Sequence, residues 1–408
     1  MIKKNYITNQ MNINYFTLCF VAISPFIFMS IMYYLLPKRI KYVLVDEKNR
    51  YQTIDGLRGI AAICVMFVHS LLSYHFLYFK TWWDQDTVNQ TFDKSISSDF
   101  GATIYSLGGF GVCIFFMITG FLFYDKLIRS EGHINIKNFF IKRFFRISPL
   151  YYFVILSVFI TVLITGLAEF SSLKKTIKSF LSWLCFYFVD IKTISSIAPG
   201  SIPLAGVIWT LKVEWIFYFC VPFLSLFNRK KIVSIAFVLL GLATVIILYK
   251  LKIIVLTITI MPFFLGMLAS LIANNYIKIN KKILVNHITS FIILLITIYS
   301  IFLHKKQFVY CLLLGLVFIA ISNGNSIFGI LKTKILISLG SISYSIYLIH
   351  GLVLFLINLV FLRNGSYLLN TLITIFLTLF VSIFTFYFIE RTGVTFGAKI
   401  TKLKKVDQ

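Results

Sequence analysis

Hydrophobic positions in this chain come in long runs, and the polar positions gather into short segments between them. A helix needs about 20 apolar residues to cross a hydrocarbon core about 30 Å thick. Runs near that length occupy 14–36, 57–77, 104–124, 149–168, 206–227, 232–249, 253–273, 284–303, 308–322, 341–361 and 367–389. A backbone surrounded by lipid must satisfy its own hydrogen bonds, so each run is read as a helix. The pattern predicts an all-α, polytopic transmembrane bundle of about eleven membrane helices. The apolar stretch 179–189 is too short to span and is read as interfacial or re-entrant. The run 14–36 is too long for a signal-peptide core and lacks a small-x-small cleavage site, so it is read as a retained helix. The longest expected loops are 78–103, 125–148 and 169–205.

Composition closes off the water-soluble classes. Of the 408 residues, 59% are hydrophobic and 13% are charged, against about 25% charged in soluble domains. The net charge of +25 does not point to nucleic acid, because the basic residues sit in short loops between apolar runs. They act as topology signals. Segments on one side of the expected bundle hold 25 of the 39 Lys and Arg, and those on the other hold 13. The richer side includes "PKRIKYV", "KNFFIKRFFR" and the C-terminal tail, and is read as cytoplasmic. All six cysteines fall in apolar stretches without metal-ligand spacing and are read as packing residues, with no metal site expected.

Against this background a few polar positions stand out because they lie inside spans. Arg58 and His69 are eleven steps apart in "DGLRGIAAICVMFVHS". At 3.6 residues per turn that is about 20° past three full turns, so both lie on one helix face about 16 Å apart. With Arg58 at a membrane surface, His69 falls near the midplane. Glu214 in "VIWTLKVEWIFYF" is the acidic residue expected well inside a span, and His350 also lies deep. Ionisable groups at mid-depth cost several kcal/mol unless partnered or wet, so the three are expected to share a polar site. Ser343, Tyr347 and His350 in "GSISYSIYLIHGL" form one stripe at steps of four and three, suited either to pairing helices or to lining a substrate path. Arg143 and Arg146, one turn apart in "KRFFRISPLYY", suit either a topology anchor or an anion clamp. Glycines in "GGFGVCIFFMITGFLFY" permit close approach of a helix or a ligand.

Taken in order, Arg58-x10-His69, "GVCIFFMITGFLFY", the Arg143/Arg146 pair before "SPLYY", "WTLKVEWIFY" and "GSISYSIYLIH" resemble acyltransferase family 3. That family of integral-membrane acyltransferases includes O-acetyltransferases of bacterial surface polysaccharides. The resemblance covers about residues 50–392, leaving 1–49 as an extra N-terminal helix with a basic linker and 393–408 as a basic cytoplasmic tail. It implies a ten-helix core and a multi-pass protein of the bacterial plasma (inner) membrane. By the same resemblance His69 is the catalytic histidine, Arg58 is the motif arginine, and Arg143 and Arg146 match the arginine pair. Glu214 matches the glutamate that follows the tryptophan motif, where Trp209 and Thr210 are expected to line the substrate path with Ser343, Tyr347 and His350. Cys113 stands where the family often has a polar residue, and Thr119 and Thr210 where it often has Ser.

The chemistry runs parallel to the resemblance. Basic loops suit the phosphates of an acyl-CoA, most often acetyl-CoA in this family, which serves as co-substrate with no bound cofactor. His69 suits a general base for an acceptor hydroxyl on a glycan or lipid-linked saccharide, directly or through an acyl-histidine. Glu214 is expected to orient or charge-stabilise His69. Partners are thus acyl-CoA, the saccharide acceptor and membrane lipid, with no nucleic acid. The rival class is a proton-coupled transporter or flippase, since midplane His and Glu also suit proton relay; what speaks against it is the arginine set, which a relay does not need.

Overall fold

The computed structural model describes residues 13–46, 50–79, 81–82, 91–93, 95–164, 180–186, 188, 204–303, 305–360 and 366–403. Helix α1 spans Tyr15–Leu35, α2 Gln52–Phe79, α3 Ser98–Arg129, α4 Ile136–Ile164 and α5 Ile208–Phe227. Then follow α6 Lys231–Lys250, α7 Ile254–Ala273, α8 His287–Phe302 and α9 Gln307–Ser322. The last are α10 Lys334–Ser341, α11 Ser343–Val360 and α12 Tyr367–Thr385, the last continuing through a π turn, Phe386–Glu390, into α13, Arg391–Leu403. Among the described residues the elements are helical and no strand forms, so the chain is an all-α polytopic membrane protein.

Among the described residues eight helices are long and apolar enough to cross a membrane, and α10 with α11 makes a ninth candidate bent by 68°. Helices α8 and α9 are apolar but have only 16 residues each, about 24 Å at 1.5 Å per residue. Every expected run thus overlaps a described helix, with positions 165–168 and 361 lying outside the described residues, but several boundaries move. The expected loop 125–148 shrinks to 130–135, because α3 runs on to Arg129 and α4 begins at Ile136. Arg143 and Arg146 therefore lie inside a helix rather than at its start. Of the short stretch 179–189, residues 180–184 are helical and Trp183 is buried, its carbonyl accepting from Tyr151 Oη at 2.5 Å.

Close packing of backbones brings the core together. Gly120 on α3 and Gly266 on α7 face each other's helix: a Cβ on Gly120 would overlap Phe263 O, and one on Gly266 would overlap Met117 O. Without a hydrophobic drive between helices in lipid, small residues at such crossings allow van der Waals contact. Gly120→Val is expected to destabilise the protein by about 2 kcal/mol or more, since backbone must move to accept the side chain. Thermal melting in detergent checks this; an unchanged midpoint would mean the crossing is loose. Gly340, at the end of α10, has the same role against the start of α2, where a Cβ would overlap Asp55 O. The bend that follows it at Ile342 sets the first turn of α11 beside Arg58.

A buried carboxylate ties helices together near the Arg58 end. Asp125 is 5% exposed and accepts from Tyr51 Oη at 2.8 Å, Asn274 Nδ2 at 2.8 Å and Arg129 Nε at 3.1 Å. Those three donors meet Oδ1, and Arg129 Nη2 lies 2.8 Å from Oδ2, so both oxygens of the buried carboxylate are engaged. Burial and this contact push the Tyr51 hydroxyl, just before α2, up to about 12. Along α12, Asn370, Thr374, Thr378 and Ser382 are buried at steps of four, and Glu390 continues the same phase after the π turn.

Of the cysteines, Cys113 and Cys311 are buried with Sγ atoms 3.6 Å apart, whereas Cys19, Cys185 and Cys220 are exposed. Packing inside the bundle therefore accounts for only some of them; an apolar stretch presents one side to lipid, where a thiol is equally acceptable.

Candidate functional site

Two cavities meet inside the bundle. The smaller, about 150 Å³, is lined by Arg58 from α2, Arg143 and Arg146 from α4, Thr210 and Glu214 from α5, and Ser343 and Tyr347 from α11. The larger, about 770 Å³, is lined by His69 from α2, Gly108 and Gly109 from α3, Trp209 and Tyr310. Asp99 and Lys305, also on its lining, are exposed and paired at 3.0 Å. Val112, Phe116 and Tyr347 line both cavities and so form the partition between them. A hydrogen bond of 2.8 Å between Thr210 Oγ1 and Tyr347 Oη spans it.

The arginines are not equivalent. Arg146 is held by Glu390, with Nη1 2.5 Å from Oε1, and Ser345 donates to the other carboxylate oxygen at 3.0 Å. Glu390 is fully buried, so its charge depends on that guanidinium. Arg58 pairs more loosely with Asp55, 3.5 Å away and three residues earlier on α2. Arg143 has no carboxylate within ion-pair distance among the described residues; its guanidinium lies over the Phe123 ring, 5.0 Å from the centroid. Glu214 accepts from Tyr218 Oη, one turn further along α5. Of the three guanidinium groups on the small cavity, two thus have carboxylate partners outside its lining, which leaves Arg143 the one best placed to meet an anionic ligand.

His69 is set apart from that cluster. Its Nδ1 lies 2.8 Å from His350 Nε2, and His350 Nδ1 lies 2.9 Å from the carbonyl of Ile346 one turn before it on α11. The rings are 9° from parallel with centroids 5.1 Å apart, so they meet edge to edge. His350 is fully buried and lines neither cavity, while His69 lies between it and the larger cavity.

The residues singled out by sequence thus separate into two groups. Arg58, Arg143, Arg146, Thr210, Glu214, Ser343 and Tyr347 share the small cavity, and His69 and Trp209 share the large one. The expected partnership of His69 with Glu214 is replaced by one with His350, and no hydrogen bond joins His69 to Glu214 among the described residues. Helical phase puts Arg58 and His69 on one face, but the partition from α3 and α11 passes between them. His350 accordingly stands behind His69 instead of on the cavity wall. Glu390 and Asp125 were missed by a sequence reading that placed both outside the spans. For Glu390 a signal existed, because it continues the step-of-four polar stripe of α12. Thr119 lines the small cavity, and Cys113 the large one. No group of three or more His, Cys, Asp or Glu among the described residues is placed to hold a metal ion.

Residues 51–389 match a protein-family model described as an acyltransferase domain. Nodulation protein 10 of Rhizobium leguminosarum bv. viciae is 31% identical over 188 residues, covering 43% of this chain and 45% of that protein. This chain therefore aligns with less than half of that relative's length. No solved structure matches the chain.

Proposed function

Because the chain belongs to the acyltransferase family matched over residues 51–389, we propose that it moves an acetyl group from cytoplasmic acetyl-CoA to a hydroxyl of a glycan or lipid-linked saccharide on the other side of the membrane. Modification of a surface polysaccharide is the favoured setting. The observation that carries the reading is the pair of cavities, arginine-lined on one side and holding His69 on the other, that meet at Val112, Phe116 and Tyr347. A volume of about 150 Å³ is below that of an ordinary ligand site. It suits the narrow pantetheine arm, with the nucleotide end of CoA left outside. The 770 Å³ cavity falls within the range for a whole small ligand, and there the acceptor would meet the thioester.

In this reading the guanidinium groups hold phosphate, Arg143 above all because no carboxylate engages it among the described residues. The thioester passes the Thr210–Tyr347 contact and reaches His69. His69 removes the proton of the acceptor hydroxyl as its oxygen attacks the carbonyl carbon. Glu214, remote from that step, balances the arginines. Arg143→Ala is expected to raise the KM for acetyl-CoA about tenfold with kcat little changed, because uniform binding is lost. Equal KM values in steady-state assays of the reconstituted protein would remove Arg143 from the donor site. The function as a whole is tested by mass spectrometry of surface glycans from cells with and without the gene. Identical acetylation in both would overturn the acceptor assignment.

A further inference from the structure

We propose that His350 is a positioning residue that fixes which nitrogen of His69 is basic, holding the lone pair on His69 Nε2 and directing it to the larger cavity. The proposal rests on the reading above, in which His69 is the base for transfer. It follows from reading the chain of contacts from its far end. A carbonyl oxygen can only accept, so the 2.9 Å contact to Ile346 O requires the proton of His350 to sit on Nδ1. In a neutral ring the other nitrogen, Nε2, then carries the lone pair. His69 Nδ1 lies 2.8 Å from it, and two facing lone pairs would leave two polar atoms unsatisfied in the core. His69 Nδ1 therefore carries the proton and donates it. The nitrogen that remains, His69 Nε2, is left as the acceptor. No carboxylate among the described residues bonds to either ring, so nothing there supports a second proton in the resting pair.

The arrangement does with a neutral ring and a backbone carbonyl what acyl-transfer triads do with a carboxylate, which is to orient the histidine and select its tautomer. During transfer the acceptor O–H proton goes to His69 Nε2 as the new C–O bond forms. The C–S bond of the thioester breaks, and the same proton then passes to the departing thiolate to give the free CoA thiol. While His69 is doubly protonated, its Nδ1–H remains bonded to His350 Nε2, which stabilises the charge without moving. The edge-to-edge geometry, with rings 9° from parallel, keeps that bond in the planes of both rings.

His350→Leu fills the site with an apolar side chain and removes the acceptor. Its kcat is expected to fall by about 100-fold or more, with KM for both substrates within about threefold, because tautomer selection acts on the chemical step. His350→Gln can place an amide oxygen where Nε2 lies, and is expected to stay within about tenfold of wild type. A purely packing role would not separate these two variants. The tautomer itself is read by 15N NMR of protein labelled at histidine, with the His69 and His350 signals identified by their loss in single variants. Wild-type protein and His350→Gln should show His69 protonated at Nδ1, and His350→Leu a mixture. Protonation of His69 at Nε2 in the wild type, or wild-type kcat in His350→Leu, would overturn the proposal. The NMR result does not depend on catalysis, so if His69→Ala retained activity the functional reading would fail while the tautomer assignment stood.

Discussion

Replacing His69 by alanine is expected to reduce the proposed acetyl transfer by about 1,000-fold or more while the protein still inserts and folds. A positioned general base contributes about 10²- to 10⁴-fold, and His69 is the imidazole on the wall of the larger cavity, where donor and acceptor would meet. His350 is the ring behind it, but its Nδ1 is committed to Ile346 O and it lines neither cavity, so it cannot take over. The fold should survive because the vacated volume opens onto the 770 Å³ cavity, where water can satisfy His350 Nε2. The measurement is transfer of labelled acetyl from acetyl-CoA by protein in lipid nanodiscs, paired with a melting curve. Wild-type turnover from a folded His69→Ala protein would end the assignment of this residue as the base.

The second large effect concerns stability. Glu390→Gln is expected to cost about 3 kcal/mol, because it leaves the guanidinium of Arg146 without a counter-charge in the bundle interior. The figure sits at the low end of the range for a broken buried pair, since the Arg146 side chain is 31% exposed and opens onto the small cavity. The amide would still accept from Ser345, so the loss isolates the charge rather than the hydrogen bond. Arg146→Met combined with Glu390→Leu should recover most of the stability, as apolar replacements of buried pairs often do. The double variant should nevertheless bind acetyl-CoA less tightly, if Arg146 also touches the donor. Melting of purified protein reads the first effect and equilibrium binding of labelled acetyl-CoA reads the second. A Glu390→Gln protein that melts with the wild type would show that Arg146 is solvated from the small cavity and needs no partner.

That pair also shows where reading along the chain loses its grip. Glu390 stands next to Arg391 at the end of a hydrophobic run, and a charge at such a boundary is ordinarily at the membrane surface. The helix instead continues through a π turn to Leu403, and the turn carries Glu390 to the buried side where Arg146 waits on α4. A π turn is a local insertion in the hydrogen-bond ladder, and it often marks a site where a side chain is re-aimed. The polar stripe of α12 was visible in the sequence, but its partner lies some 240 positions away.

Some features were determined by the sequence alone. The positions of the apolar helices along the chain and the all-α class follow from hydrophobicity, which acts locally because every segment meets the same solvent, lipid or water. The shared face of Arg58 and His69 follows from helical phase in the same way. Only the tertiary structure decided which polar groups meet. Glu214 joins the arginines and His69 joins His350, because the bend at Ile342 and the crossing of α3 put Val112, Phe116 and Tyr347 between the two sets. The physical reason is range. Partition into a membrane is summed over each segment separately, whereas a hydrogen bond or ion pair acts within a few ångströms and depends on how distant helices pack.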